Sequence, residues 1–460
     1  MRKTVILTFW LISCVACFTS TSHKLKVFNN TTFTRVPNVL AGSKLYLASF
    51  DLMVQLAKIT LLSDGNTITL DKLVKRIDND GFQIGWPISS DLFISTSNPE
   101  NVTEALTGGI FLITPTMAKD PNLLVYVVRG SMTLDRSNSP NSTIVFLNLH
   151  IPNNGNPAYM GFTHTRVENI IQPKTTSISF YSGEPDDYYG DVENKNTTNK
   201  RIFANPLLIG NPQIDSPIFF ENIDPIQYSL EVWVMRAVGP IKLDVSDIYV
   251  DTTSIQSNAS TVTGMSNSQL FTYNSSVNFL PATENIGTSG IMVATDLFSR
   301  SNVSVTLNGN NQMSETLKFP SENVRNNIST LPWLVESIQI VPSNIISGIY
   351  FVQYFRIVSG IAPTPTPTEK ASASTGFSNI ASASTGFSNI ASASTGFSNI
   401  ATASTGSSGI SASTFSASPS SAATPTPVPI STSTNSIETS SKLFPILPIL
   451  IATLHFYVFV

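Results

Sequence analysis

The alternation of apolar and polar residues along this chain predicts an all-β protein: two or three tandem β-sandwich or jelly-roll modules, then a disordered Ser/Thr-rich stalk. Three observations carry that prediction. From His23 to Ala362, short alternating runs are separated by clusters of Asn, Gly, Pro and Ser, the pattern of strands and turns. Helical periodicity is scarce in the same stretch. Beyond Pro363 the composition turns abruptly to Ser, Thr, Ala, Pro and Gly, which cannot bury enough apolar surface to offset chain entropy.

Composition narrows the classes of function. Hydrophobic residues make up 41% of the 460 and charged residues 12%, the latter about half the usual share. The net charge of −4 is spread over 26 basic and 30 acidic residues without a basic run, so nothing marks a nucleic-acid partner.

Residues 1–22 read as a secretory signal, with Arg2 and Lys3 ahead of the apolar stretch Thr4 to Ala16 and cleavage expected between Ala16 and Ser22. Cys14 and Cys17, the only cysteines, lie in that segment, where a CxxC spacing lacks the folded context that redox or zinc chemistry needs. Leu11-Ile12-Ser13-Cys14 also fits a bacterial lipoprotein signal; the other end of the chain argues against that alternative.

The ectodomain is expected to divide into modules 23–142, 143–255 and 256–362, with Trp86, Trp233 and Trp333 falling one in each as core residues. The clearest strand runs from Ile226 to Arg236, with Ile226, Tyr228, Leu230, Val232 and Val234 on one face and Gln227, Ser229, Glu231 and Trp233 on the other. Val303, Val305 and Leu307 alternate with Ser304, Thr306 and Asn308, and Asn308-Gly309 follows as a tight-turn signal. Leu123 to Val128, Thr143 to His150 and Ser347 to Ile357 are further strands, several of them apolar on both faces.

Residues 363–442 form the stalk, in which only Glu369, Lys370, Glu438 and Lys442 are charged. The decamer ASASTGFSNI starts at Ala371, Ala381 and Ala391, and a decayed copy, ATASTGSSGI, starts at Ala401. Flanked by PTPTPT and ATPTPVP, this is the composition of an O-glycosylated spacer. Phe377, Phe387 and Phe397 supply the alternative of a short adhesive array. The final segment, 443–460, carries no formal charge and contains Pro445 and Pro448. Behind a polar spacer and a run of small residues it fits the signal for a glycosylphosphatidylinositol (GPI) anchor, after which the tail is removed; the acceptor is expected among Ser431, Ser433 and Asn435. The alternative is a retained tail-anchored helix, for which this length is marginal. The expected location is the outer face of the plasma membrane, reached through the secretory pathway.

Short pieces such as TSISFYSG from Thr176 and GIYFVQY from Gly348, with the low-complexity stalk before an anchor signal, resemble the cysteine-poor CUB-like proteins that nematodes secrete or anchor by lipid. The resemblance covers about half the ectodomain and implies a jelly-roll β-sandwich and a surface or defence role. CUB domains proper carry disulfides and this ectodomain has no cysteine, so architecture rather than binding chemistry is what the resemblance implies.

Nine N-glycosylation sequons fall in the ectodomain, at Asn29, Asn30, Asn101, Asn141, Asn196, Asn258, Asn274, Asn302 and Asn327. No GxSxG, HExxH or Gly-rich phosphate loop is present, so the expectation is a non-enzyme without a cofactor. His150 and His164 could face one another, although satisfied or exposed imidazoles are the commoner outcome. The dense polar cluster runs from Gly183 to Glu193, where Glu184, Asp186, Asp187 and Asp191 could bind calcium and Tyr188 and Tyr189 could meet a partner. A solvated acidic loop is the competing reading. The function expected is binding of an extracellular protein or glycan by a protein attached to the membrane through its lipid; the alternatives are a coat protein without a specific ligand, and a hydrolase with an unfamiliar site.

Overall fold

The computed structural model describes residues 19–358 apart from 150–162, 188–200, 211–215, 269–273, 282–285, 298–300, 311, 321–323, 325 and 344–347. These residues lie within one compact unit, Met1–Ala373. The expected signal cleavage region up to residue 18, the stalk, its repeats, the anchor acceptors and the tail all lie outside the described residues.

The described chain is all-β, with six sheets in three pairs. In the first pair, Lys44–Ala48 and Gly109–Ile113 form the centre of one sheet, edged by Thr21–Lys24 and Trp86–Pro87, while Ile59–Ser63 and Phe93–Thr96 form the centre of the other. Leu45, Leu47, Ile110 and Leu112 from one sheet meet Ile59, Leu61 and Ile94 from the other in a shared core that includes Trp86. The second pair sets a five-stranded sheet, in the order Arg201–Asn205, Ser177–Ser182, Val232–Val238, Asn141–Leu147, Leu123–Val127, against a four-stranded sheet of Ser131–Asp135, Lys242–Ser246, Thr165–Ile171 and Ile226–Tyr228. The third pair sets Ser254–Ser257, Ser275–Phe279, Val335–Pro342, Val303–Gly309 and Ser314–Phe319 against Val262–Asn267, Gly348–Val358, Gly287–Leu297 and Asn327–Leu331. Its core joins Val303, Val305 and Ile338 on one side to Ile291, Val352 and Tyr354 on the other.

Alternation along single strands explains why several are apolar on both faces. In Asn141–Leu147, Ile144 and Phe146 point into the core of the second sandwich, whereas Val145 and Leu147 join Val232 and Val234 on the outer face. That outer face packs on Tyr46, Ala48, Phe111 and Ile113, which are the outer face of the first sandwich. The first and second sandwiches therefore stack as four layers, with the inner two sheets covered on both sides. The same logic runs through Gly348–Val358: Tyr350, Val352 and Tyr354 enter the third core, while Phe351 reaches the core of the second sandwich and Phe355 packs with Ala204, Leu207 and Phe220.

Two local expectations are revised. Residues 226–236 do not make one strand: Ile226–Tyr228 and Val232–Val238 belong to opposite sheets. Trp233 lies in the core with Tyr228 and Met235 rather than opposite Tyr228; it stacks on Phe146 at 4.0 Å and on Tyr228 at 4.5 Å. The crossing between sheets at residues 229–231 shifts the alternation by one, which periodicity along a single strand does not reveal. The hairpin after Val303–Gly309 forms, but it turns beyond Gly309, whose N–H donates to the Met313 carbonyl at 2.9 Å, and the positive φ falls at Gln312.

The junction between the second and third sandwiches turns on Gln353, which is fully buried. Its Oε1 accepts from the Ala204 N–H at 3.0 Å and its Nε2 donates to the Ala204 carbonyl at 2.8 Å and to Thr263 Oγ1 at 3.1 Å. Replacing Gln353 with Leu orphans both backbone groups in a dry interface, each worth about 1–3 kcal/mol. The expected outcome is a lowered thermal midpoint for the full chain, with a loss of stability of about 2–4 kcal/mol in denaturant titration.

Candidate functional site

A cavity of about 300 Å³ opens where the first sandwich meets the second, at the lower end of the size range of small-molecule sites. Three stretches of chain build it. The strand Lys44–Ala48 turns Leu47 inward, and the short helix Leu70–Leu73 leads into Val74 and Ile77. A tight turn follows, in which Asp78 Oδ1 accepts from the backbone N–H groups of Asp80 at 3.0 Å and Phe82 at 2.8 Å. The third stretch supplies Tyr126 and Val127 from one strand, Arg129 from the loop, and Ser131 and Met132 from the next strand.

Glycine is required at one wall. Gly81 has φ +88°, and a Cβ there would lie 2.6 Å from Met132 Sδ, so a side chain would be strained and would force Met132 to shift. Gln83 closes the floor. Its side chain accepts from the Leu47 N–H at 2.9 Å and donates to the Leu47 carbonyl at 3.0 Å, and its own N–H donates to the Val125 carbonyl at 2.9 Å. One residue thus holds both sandwiches.

The remaining lining is mostly apolar, with the Tyr126 and Ser131 hydroxyls and a single cation, Arg129. Leu47 and Tyr126 are buried at its base, while Ile77 is 54% exposed. Burial pushes the Tyr126 hydroxyl above the usual phenol value, a hydrogen bond with the Arg129 backbone opposes this, and the charge of Asp247 adds to the rise. Arg129 is exposed; its Nη2 donates to the Ser49 carbonyl and its guanidinium lies 5.3 Å from the centroid of Phe50. Phe50 is itself 43% exposed, and Leu52, Met53 and Val54 follow it on the surface.

The expected site residues fall elsewhere. Of the sequon asparagines, Asn29, Asn30, Asn101, Asn141, Asn258, Asn274 and Asn327 are exposed and Asn302 is half-buried; Asn196 lies outside the described residues. The described part of the acidic loop acts as a joint. Ser20 donates through its N–H and Oγ to the Pro185 carbonyl at 3.0 and 2.7 Å, Thr19 bridges to the buried Asp186, and Thr114 Oγ1 donates to Asp187 Oδ1. Each of these contacts ties the first sandwich to the second. Among the described residues no group of three or more His, Cys, Asp or Glu is arranged to hold a metal ion; Tyr188, Tyr189 and Asp191 lie outside them.

His164 is buried, with Nδ1 2.7 Å from Ser229 Oγ and its ring 4.6 Å from that of Tyr249; His150 lies outside the described residues. No motif flags the cavity residues, because three separate stretches supply them and only the fold brings them together. The one local signal is the turn-forming Asp78-Asn79-Asp80-Gly81.

The model of a family described as "Transmembrane glycoprotein" matches residues 40–458. Among solved structures, the CUB1–EGF–CUB2 portion of human MASP-1/3 is similar over 50% of this chain and 100% of that one, at 7% identity and a TM-score of 0.16, too slight a likeness to bear on ligand or mechanism. No curated protein matches the chain.

Burial holds the His164 imidazole below its ordinary pKa, so as pH falls below about 6.5 the unfolded chain takes up the proton before the folded one does. Stability is full above that pH and declines on acidification. The His164→Asn variant is expected to show a flatter stability profile between about pH 6.5 and 5 in denaturant titration; an unchanged slope would show that His164 does not carry the acid sensitivity.

Proposed function

Because this chain belongs to the transmembrane glycoprotein family, we propose that it is a non-enzymatic cell-surface glycoprotein, carried on a lipid anchor, whose β ectodomain binds an extracellular ligand. The observation that supports this best is the placement of the sequons: none of the eight described asparagines is buried, although the three cores take in much of the chain. A glycan of any size needs such a position. In this reading the three sheet pairs are held away from the bilayer by the stalk at 363–442, and the chain leaves the secretory pathway attached at Ser431, Ser433 or Asn435. Among the described residues no helix is long and apolar enough to cross a membrane.

A second reading has one observation in its favour. Asn258, Asn274, Asn302 and Asn327 all belong to the third sandwich, the part of the ectodomain that precedes the stalk, and a sugar collar there suits a coat protein without a specific ligand.

Treating intact cells that express the full chain with phosphatidylinositol-specific phospholipase C tests the anchor. The expected outcome is release of the protein into the medium, together with a fall in mass after peptide-N-glycosidase treatment. Retention on the cell beside a released control would mean that segment 443–460 persists as a membrane helix.

A further inference from the structure

We propose that the cavity between the first and second sandwiches binds an alkyl carboxylate of medium chain length, with the chain against Leu47, Val74, Ile77 and Met132 and the carboxylate on Arg129. This rests on the reading of the ectodomain as an extracellular binding module and names the chemistry it would recognise.

The wall is poor in groups for a sugar. A glycan needs several convergent polar groups, whereas this lining supplies Arg129, the Ser131 and Tyr126 hydroxyls, and a Gln83 amide whose Oε1 and Nε2 already pair with the Leu47 backbone. What faces the void is mostly hydrocarbon and thioether. Its volume, about 300 Å³, is that of about ten waters in the liquid, enough for one unbranched chain of about as many methylenes.

Charge decides the head group. Arg129 is the one cation of the lining and stands exposed at the mouth. A guanidinium carries five N–H donors in a planar fork that matches a carboxylate; Nη2 gives one to the Ser49 carbonyl, and the Phe50 ring lies 5.3 Å from the guanidinium carbon. Entry is also apolar, since Ile77 and Phe50 are each about half exposed beside the opening. A chain that is desolvated along its length and keeps a charged end at the surface fits this gradient.

Membranes from cells expressing the full chain, incubated with decanoate carrying a terminal diazirine and irradiated, provide the test. Mass spectrometry is expected to find label on peptides containing Ile77 or Met132, suppressed by excess decanoate and not by decylammonium. Arg129→Met should reduce labelling about tenfold, the loss of one charge-assisted hydrogen bond. Met132→Trp, which fills the void, should abolish it while Arg129 stays in place. Label distributed without preference for these peptides, or equal competition by decylammonium, would overturn the proposal. Surface biotinylation of the same cells scores the underlying reading separately: a chain at the surface that takes no site-specific label sinks the ligand alone, and a chain absent from the surface sinks the extracellular role.

Discussion

A polar group between two covered sheets is costly unless it is paired there, and the junctions of this molecule are built around that constraint. Four buried amides meet it in the same way. Gln83 on Leu47, Gln353 on Ala204, Gln227 on Val250 and Asn205 on Phe220 each accept from one backbone N–H and donate to the carbonyl of the same residue. The amide acts as a one-residue strand placed where the backbone ladder cannot reach. Gln83 and Gln353 do so across the two sandwich boundaries, which turns an apolar contact that could slide into one with a defined register.

The need for such registers follows from how the fold is stabilised. No cysteine lies within residues 19–358, so no disulfide braces the described fold. Covering sheets on both faces adds apolar burial that a separate sandwich of this size would forgo. The second sandwich shows the result: its core takes in Phe82 from the first and Met265, Ala294 and Phe351 from the third. The end of the third sandwich is closed by Arg356, 1% exposed, whose guanidinium donates to the carbonyls of Ser260 and Leu280 at 2.9 Å and lies 4.8 Å from the Phe279 centroid. A buried cation satisfied by neutral carbonyls and a ring is a plug rather than a reactive group.

This hierarchy sets what could be read from the residues alone. Alternation is local, so the all-β class was legible, and so was the two-sided apolar character of Asn141–Leu147 and Gly348–Val358. The core position of Trp233 was legible from its size. The partner of each second face was not, because nothing within Val145 or Phe351 says whether the covering layer comes from the same sandwich or the next. The amide clamps were invisible for a related reason: Gln83 lies in the loop before Trp86 and Gln353 in a strand, each a polar residue that solvent would suit, and only the approach of Leu47 and Ala204 makes them interior. In the acidic stretch, Asp186 pairs with Thr19 through the backbone and the Asp187 carboxylate accepts from Thr114, contacts that a run of charges does not announce.

The cavity is a consequence of the same architecture. Both cores that border it are filled by their own side chains, and the Gln83 clamp fixes the distance between the Leu47 and Val125 backbones. The paired bonds resist a shift of either sandwich that would close the gap, and Gly81 leaves Met132 the room it occupies in the wall. A void of this kind persists without a ligand because collapsing it would break paired hydrogen bonds in a low-dielectric junction, where they are costly to lose. It is also preorganised, so a guest that matches its walls has little ordering of the protein to offset. Binding there would engage side chains from both sandwiches at once, and the junction itself, rather than either module, is the unit that selects the guest.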